Sequence, residues 1–256
     1  MAYVTLEDPV DGVALLRMNR PDQMNALDLG MRQRLAECFT GLTADADVRA
    51  IVITGNEKAF AAGADLREAV QLRVIDQMLR RNDQYWKPIA ECPKPVIAAV
   101  MGFALGGGCE LALHADIIIA GESAQFGQPE VRVGIMPGAG GTQRLMRAVG
   151  KYHAMKMLMT GTPVSAQAAL AMGLASEVVP DANVVEHAFK MAKLIAAMPP
   201  LAIASIKEVV NAGQDVPLST ALMLERKAFQ LLFDSEDQKE GMQAFLDKRR
   251  PVFRGR

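Results

Sequence analysis

Cysteine is scarce in this chain: Cys38, Cys92 and Cys109 are three in 256 residues, far apart and without a CxxC pair. An odd, scattered set excludes a disulfide framework and a thiolate zinc site, and it suits a reducing compartment, so a cytoplasmic location is expected. Histidine is equally sparse. His114, His153 and His187 fall in stretches read as helical, with no Ser-His-Asp or Cys-His pattern and no H-x-x-x-H pair, so neither a nucleophilic triad nor a metal is expected. His114, two residues before Asp116, is read as structural.

Long hydrophobic runs are missing too. The longest, residues 95–109, contains four glycines and falls short of the roughly 20 residues a membrane-spanning helix needs, so a soluble chain is expected. No charge sign dominates: 28 Lys+Arg against 29 Asp+Glu leave a net charge of −1, which gives no global field for nucleic acid or an anionic membrane. A local basic pocket for phosphates stays open. The start, Met1-Ala2-Tyr3-Val4-Thr5-Leu6-Glu7-Asp8, has neither a basic segment followed by an apolar one nor an Arg-rich transit pattern, and is expected to belong to the mature protein. The Gly-rich loops match neither G-x-x-x-x-G-K-[ST] nor G-x-G-x-x-G, which disfavours nucleotide hydrolysis.

What is present begins with a hydrophobic content of 50%, enough at this length for a sizeable core. Short β-branched runs bounded by Gly, Pro or Asn predict strands at residues 13–18, 50–54, 96–101 and 115–120. Segments of helical character at 28–42 and 66–91 lie between them, so an α/β architecture is expected. Near-continuous apolarity at 51–53 and 117–119 predicts strands covered on both faces. Beyond about Ala182 the strand signal stops, and 187–198, 201–212, 218–233 and 236–249 read as helices, with Pro199-Pro200 and Pro217 as breaks. Leu222, Met223, Phe229, Leu232 and Phe233 offer more apolar surface than a small appendage needs, so they either pack on a partner subunit or cap this chain's own core.

Two loops carry candidate chemistry. Phe60-Ala61-Ala62-Gly63-Ala64-Asp65-Leu66 follows a strand, and Gly106-Gly107-Gly108 precedes a helix read over 109–114. Small side chains let a ligand approach the backbone, and amides near a helix start are unsatisfied donors, so the pair can cradle an oxygen that becomes negative. Glycines that merely turn a strand into a helix are the simpler account of each loop alone. Two carboxylates accompany them. Glu110 has Cys109, Leu111, Ala112 and Leu113 as neighbours, so it has few polar companions and faces the interior or a pocket. Glu130, in Phe126-Gly127-Gln128-Pro129-Glu130, gains its case from pairing with Glu110. Apolar surroundings push a carboxylate pKa upward, which suits proton transfer near neutral pH.

Together with Gly134-Ile135-Met136-Pro137-Gly138-Ala139-Gly140-Gly141-Thr142, these motifs resemble the enoyl-CoA hydratase (crotonase) family. The resemblance runs from Asn19-Arg20-Pro21 and Asn25-Ala26-Leu27 to Lys239-Glu240-Gly241-Met242 and Phe245. It implies a spiral core of repeated ββα units over residues 1–197 and a C-terminal helical trimerisation region over 198–256, with a homotrimer or homohexamer as the assembly. It also implies that the amides of Ala64 and Gly107 form the oxyanion hole for an acyl-CoA thioester, while Glu110 and Glu130 add one water across the Cα=Cβ bond. Glu110 is then the base on water and Glu130 supplies the proton that reaches Cα. Coenzyme A enters as part of the substrate, with no separate cofactor and no metal.

Ala62, Ala64, Asp65, Leu66 and Arg67 resemble the family's CoA-contacting loop, and Lys227 resembles a C-terminal-helix lysine that reaches CoA phosphates. Arg67 stands where members often carry Lys, and Asp22-Gln23-Met24 where they often carry a basic residue; both departures bear on the phosphate contacts, not on the acid/base pair. Retention of both glutamates favours a hydratase over the alternative of an enoyl-CoA isomerase. An RNA-binding homologue is disfavoured by the charge balance. The overall pattern and the ending Lys248-Arg249-Arg250-Pro251-Val252-Phe253-Arg254-Gly255-Arg256 resemble bacterial hydratases of phenylacetate breakdown, which act on 2,3-dehydroadipyl-CoA; short-chain hydratases share almost every motif. A distal carboxylate would want a cation, and Arg67, Arg73, Arg80 and Arg81 are the candidates, unless they are simply solvated helix-face residues.

Overall fold

A computed structural model describes residues 2–256. Strands β1 (Val4–Val10) and β2 (Val13–Met18) form an antiparallel hairpin through Asp11 and Gly12, both at positive φ. That conformation matches the right-handed strand twist. Helix α1 (Leu29–Ala44) follows, its N-terminus capped where Asp28 Oδ1 accepts from the Met31 amide at 2.8 Å.

Three ββα turns come next. The first has β3 (Ala50–Thr54), β4 (Ala59–Ala61), α2 (Val74–Leu79) and α3 (Asp83–Ala90). The second has β5 (Val96–Val100), β6 (Phe103–Leu105) and α4 (Gly107–Ala112), and the third β7 (Ile117–Gly121), β8 (Gln125–Gly127) and α5 (Gly141–Thr160). Beyond them lie β9 (Val164–Ser165), α6 (Ala166–Ala171), β10 (Glu177–Val179) and α7 (Val184–Ala196). The chain ends in α8 (Pro200–Gly213), α9 (Leu218–Leu232) and α10 (Glu236–Leu246).

In each turn the first strand joins a six-stranded sheet, ordered β1-β2-β3-β5-β7-β10 and parallel from β2 onward. The second strand joins a four-stranded sheet, β4-β6-β8-β9, parallel until β9. Two sheets advancing in step make the ββα spiral, an α/β crotonase-like fold. Every residue of β3 and β5 is buried, as expected for strands covered on both faces. One face packs on α1 and the small sheet, with Phe39, Phe60 and Phe126 fully enclosed; the other packs on α7 through Val184, Ala188, Ala192 and Ala196, a stripe at helical spacing. Each enclosed aromatic contributes about 1.5–3 kcal/mol of burial.

The structure differs from expectation in several places. The helical stretch over 66–91 is a 3-10 turn (Leu66–Glu68) and two short helices, interrupted at Arg81, whose φ is 45°. No residue from 64 to 82 is buried, so no apolar stripe sustains one long helix there. The helix expected at 109–114 spans Gly107–Ala112. His114 therefore sits in the following turn, stacked on Trp86 at 5.2 Å between ring centres. His187 has an acidic partner, with Nε2 2.7 Å from Glu177 Oε2. Asp116 is structural: it accepts from the Val96 amide and from Lys207 Nζ, each at 2.7 Å. Among the described residues no single helix is long and apolar enough to cross a membrane. Helices α8 and α9 bury none of their side chains, and α9 leaves Leu222, Met223, Phe229 and Leu231 exposed.

Candidate active site

The site forms where β4, β6 and β8 end. After β6 the chain turns into α4 at Gly106, whose φ of 51° and ψ of −123° suit only glycine; a Cβ there would also stand 2.8 Å from Glu130 Oε1. Two residues on, a Cβ at Gly108 would meet the Ala61 carbonyl oxygen at 1.9 Å. Helix α4 thus presses directly on the end of β4, and this contact sets the Phe60–Leu66 loop beside the Gly106–Gly108 loop. A Cβ built on Gly107 lies 3.7 Å from the Ala64 nitrogen. Among the described residues neither the Ala64 nor the Gly107 amide meets a backbone acceptor. Two adjacent donors are therefore free to share one oxygen.

The first loop is splinted from an unexpected direction. Asn25 is fully buried, its amide nitrogen donating to the Ala59 carbonyl at 2.9 Å and the Phe60 carbonyl at 3.2 Å. Its side-chain oxygen accepts from the Arg20 amide at 2.8 Å. The Leu27 amide donates to the Gly63 carbonyl at 2.7 Å, and Ala62 donates to Met24 at 3.0 Å. Sequence reasoning noted Asn25-Ala26-Leu27 but missed this bracing; the left-handed φ of Asn25, 54°, is not legible from residue type alone.

Glu110 lies one turn into α4 and is only 3% exposed. It is not short of polar companions, contrary to expectation. Its Oε1 accepts from the Ala139 amide at 2.7 Å and the Gly141 amide at 2.8 Å. Both donors lie where the chain enters α5, at amides without intrahelical partners. Burial raises the Glu110 pKa, and these two hydrogen bonds oppose the rise. Gly138-Ala139-Gly140-Gly141 was the available signal, because small residues let the backbone reach a carboxylate.

Glu130 sits in a 3-10 turn (Pro129–Val133) after β8 and is half-buried. Burial pushes its pKa up to about 7, with the charge of Glu110 adding to the rise. Gln128 is fully buried with its terminal amide facing Glu130; with the amide turned so that its nitrogen points there, it donates to Oε1 at 3.2 Å and Oε2 at 3.3 Å. This companion was also missed, since a glutamine in a Gly-x-Pro context carries no mark of burial. His114 Nδ1 lies 2.7 Å from the Glu110 carbonyl oxygen; burial pushes its pKa down to about 4, so the ring is neutral and its Nδ1–H donates. Burial pushes the Cys109 thiol up to about 12, which leaves it protonated and structural.

The structure brings Ala64 beside Gly107, and Gly106 beside Glu130; Ala62, Asp65, Leu66 and Arg67 belong to the same loop as Ala64. Arg67 is exposed and pairs with Asp65 through two hydrogen bonds of 3.0 and 2.8 Å, which hold the Asp65 carboxyl below its ordinary range. Lys227, on α9, is exposed, and among the described residues no ion pair joins it to the site. Arg80 is engaged locally, donating to the Glu68 carbonyl at 2.9 Å. No group of three or more His, Cys, Asp or Glu side chains among the described residues is arranged to hold a metal.

Two carboxylates of raised pKa beside paired backbone donors define an acid/base site with an anion cradle. The pattern of the enoyl-CoA hydratase/isomerase family matches residues 9–256, and the chain belongs to that family. It is 46% identical to a probable enoyl-CoA hydratase of Rhizobium meliloti (strain 1021), with 100% of each chain covered. It is 45% identical to a 2,3-dehydroadipyl-CoA hydratase of Escherichia coli (strain K12), covering 95% of this chain and 96% of that one. An enoyl-CoA hydratase structure from Geobacillus kaustophilus HTA426 superposes with a TM-score of 0.96 at 42% identity, covering 99% of this chain and 98% of the other.

Proposed function

We propose that the protein adds water across the Cα=Cβ bond of a 2-enoyl-CoA thioester to give a 3-hydroxyacyl-CoA. One observation carries the assignment of roles: the two glutamates are set differently. Glu110 has one oxygen held by two amides, which oppose the rise in pKa that burial causes and leave the other oxygen for water. Glu130, with a pKa near 7, holds a proton in a large share of molecules at neutral pH. Glu110 takes a proton from water as oxygen bonds to Cβ. The π electrons move to the thioester oxygen, where the Ala64 and Gly107 amides stabilise the enolate; removing one such donor costs roughly 2.7–4 kcal/mol in other enzymes. The enolate collapses by taking the Glu130 proton at Cα, and the two carboxyl groups re-equilibrate their protons through solvent.

Coenzyme A is the carrier half of the substrate, and no separate cofactor or metal takes part. The Asp65–Arg67 segment meets it at the rim, and Lys227 does so from a neighbouring subunit. Residues 198–256 form the oligomerisation region of a cytoplasmic homotrimer or homohexamer, supported by the exposed Phe229, at 60%, and Phe245, at 84%. An isomerase needs one proton shuttle only, so the presence of both glutamates favours hydration.

The test is hydration of crotonyl-CoA, a medium-chain enoyl-CoA and dehydroadipyl-CoA by the wild-type chain, Glu110→Gln and Glu130→Gln. Each variant should lose about 10²–10⁴-fold in kcat with acyl-CoA binding retained. Near-wild-type turnover in both rejects the mechanism, and the rank order of wild-type kcat/KM assigns the acyl chain.

A further inference from the structure

From Ala64, which lies beside Gly107, to Asn82 the chain runs without one buried residue; Val70, Val74, Ile75, Met78 and Leu79 are all more than half exposed. Apolar packing cannot hold such a segment, so its position depends on polar ties. They converge on one arginine. Arg32 belongs to α1, whose Met31 and Leu35 are buried in the core, and only 12% of its side chain is exposed. Its Nε donates to the Asp28 carbonyl at 3.2 Å, one terminal nitrogen to Glu68 Oε2 at 3.3 Å, and the other to Asn82 Oδ1 at 3.0 Å. One guanidinium thus grips the segment near both ends, a use of the planar fork that lysine cannot reproduce.

Glu68 reinforces the grip. Its carboxylate also accepts from the Leu29 amide, 3.2 Å from each oxygen, at the positive N-terminal end of α1. Its own carbonyl receives Arg80 at 2.9 Å. From Glu68 the chain runs back through three residues to Ala64, which is bridged to Leu27 just before α1.

We infer that the Arg32–Glu68 clamp is a positioning device for catalysis, fixing the rim segment and with it the Ala64 amide against the rigid helix α1. The inference rests on reading Ala64 as an oxyanion donor. Neither side chain touches substrate in this account; they act through the loop. Misplacing a catalytic donor by about 1 Å from a distance can cost on the order of 10²-fold in rate, so a loosened clamp should lower kcat by roughly 10- to 100-fold.

The test compares wild type, Arg32→Lys, Arg32→Gln and Glu68→Gln by hydrogen exchange of the substrate-free protein and by crotonyl-CoA kinetics. The expected result is faster exchange confined to residues 64–82, a fall in kcat larger than any rise in KM, and no rescue by Arg32→Lys, which keeps the charge and loses the fork. Unchanged exchange in 64–82 overturns the inference, as does exchange that rises equally through α1 and the sheet. The exchange arm needs no substrate, so a wild-type chain inactive on every enoyl-CoA would refute the hydratase reading while the clamp is still decided.

Discussion

On α4 every residue from 108 to 112 is buried, whereas α8 and α9 bury none of their side chains. The first region holds Glu110 with donors from its own chain, 29 and 31 residues downstream. The second shows solvent a row of large apolar groups, with Lys227 among them. The acid/base pair is thus set inside one protomer, while the proposed contacts with other subunits and with the charged carrier lie on the surface. Perturbing each region should separate the two.

The largest effect is expected at the floor. Gly108→Ala places a methyl group where 1.9 Å separates it from the Ala61 carbonyl oxygen, so α4 must lift from β4 and carry the Gly107 amide and Glu110 with it. A fall in kcat of about 10²-fold should accompany a stability loss of about 1–3 kcal/mol. Wild-type kcat in this variant would break the claim that floor geometry sets the chemistry.

A smaller, differently shaped effect is expected outside. If α9 forms the proposed subunit interface, Phe229→Asp should convert the assembly to protomers in sedimentation. It should raise KM for acyl-CoA by roughly tenfold, about the worth of one charge-assisted hydrogen bond, with kcat largely kept. An unchanged sedimentation coefficient would remove α9 from the interface.

The gentlest probe is pH. The Glu130 carboxyl has its pKa raised from 4.5 to about 7 in the fold, so the native state binds more protons than the unfolded chain between those values. Stability conferred on wild type by holding that proton is present below about pH 4.5 and lost as pH rises through about 7. Glu130→Gln removes that loss, and its melting temperature relative to wild type should climb across this window. A flat difference would mean that Glu130 is not strained by burial, and the contrast between its setting and that of Glu110 would fall.

Much of the fold was legible because the central strands are buried on both faces and therefore carry unbroken β-branched runs, as in β3 and β7. The small sheet was not. Strands β4, β6 and β8 have three residues each, too few to establish a period. The rim was misread as one helix because 66–91 has helical composition without a buried stripe. At the site, glutamates in apolar company were visible in the sequence. Their partners were less so: Ala139 and Gly141 contribute backbone amides, which every residue but proline owns, and Asn25 and Gln128 matter through burial that type and neighbours do not announce.

Ala64, Gly107 and Glu130 each follow a different strand of one parallel set, β4, β6 and β8, whose neighbours lie about 4.8 Å apart. The spiral therefore works as a ruler, with each coil bringing at least one working group to the same end of the small sheet, and the middle coil bringing both Gly107 and Glu110. Changes in the stretch between β4 and β5 that leave Glu68 and Asn82 in place can reshape that coil's outer surface while the strand spacing stays fixed.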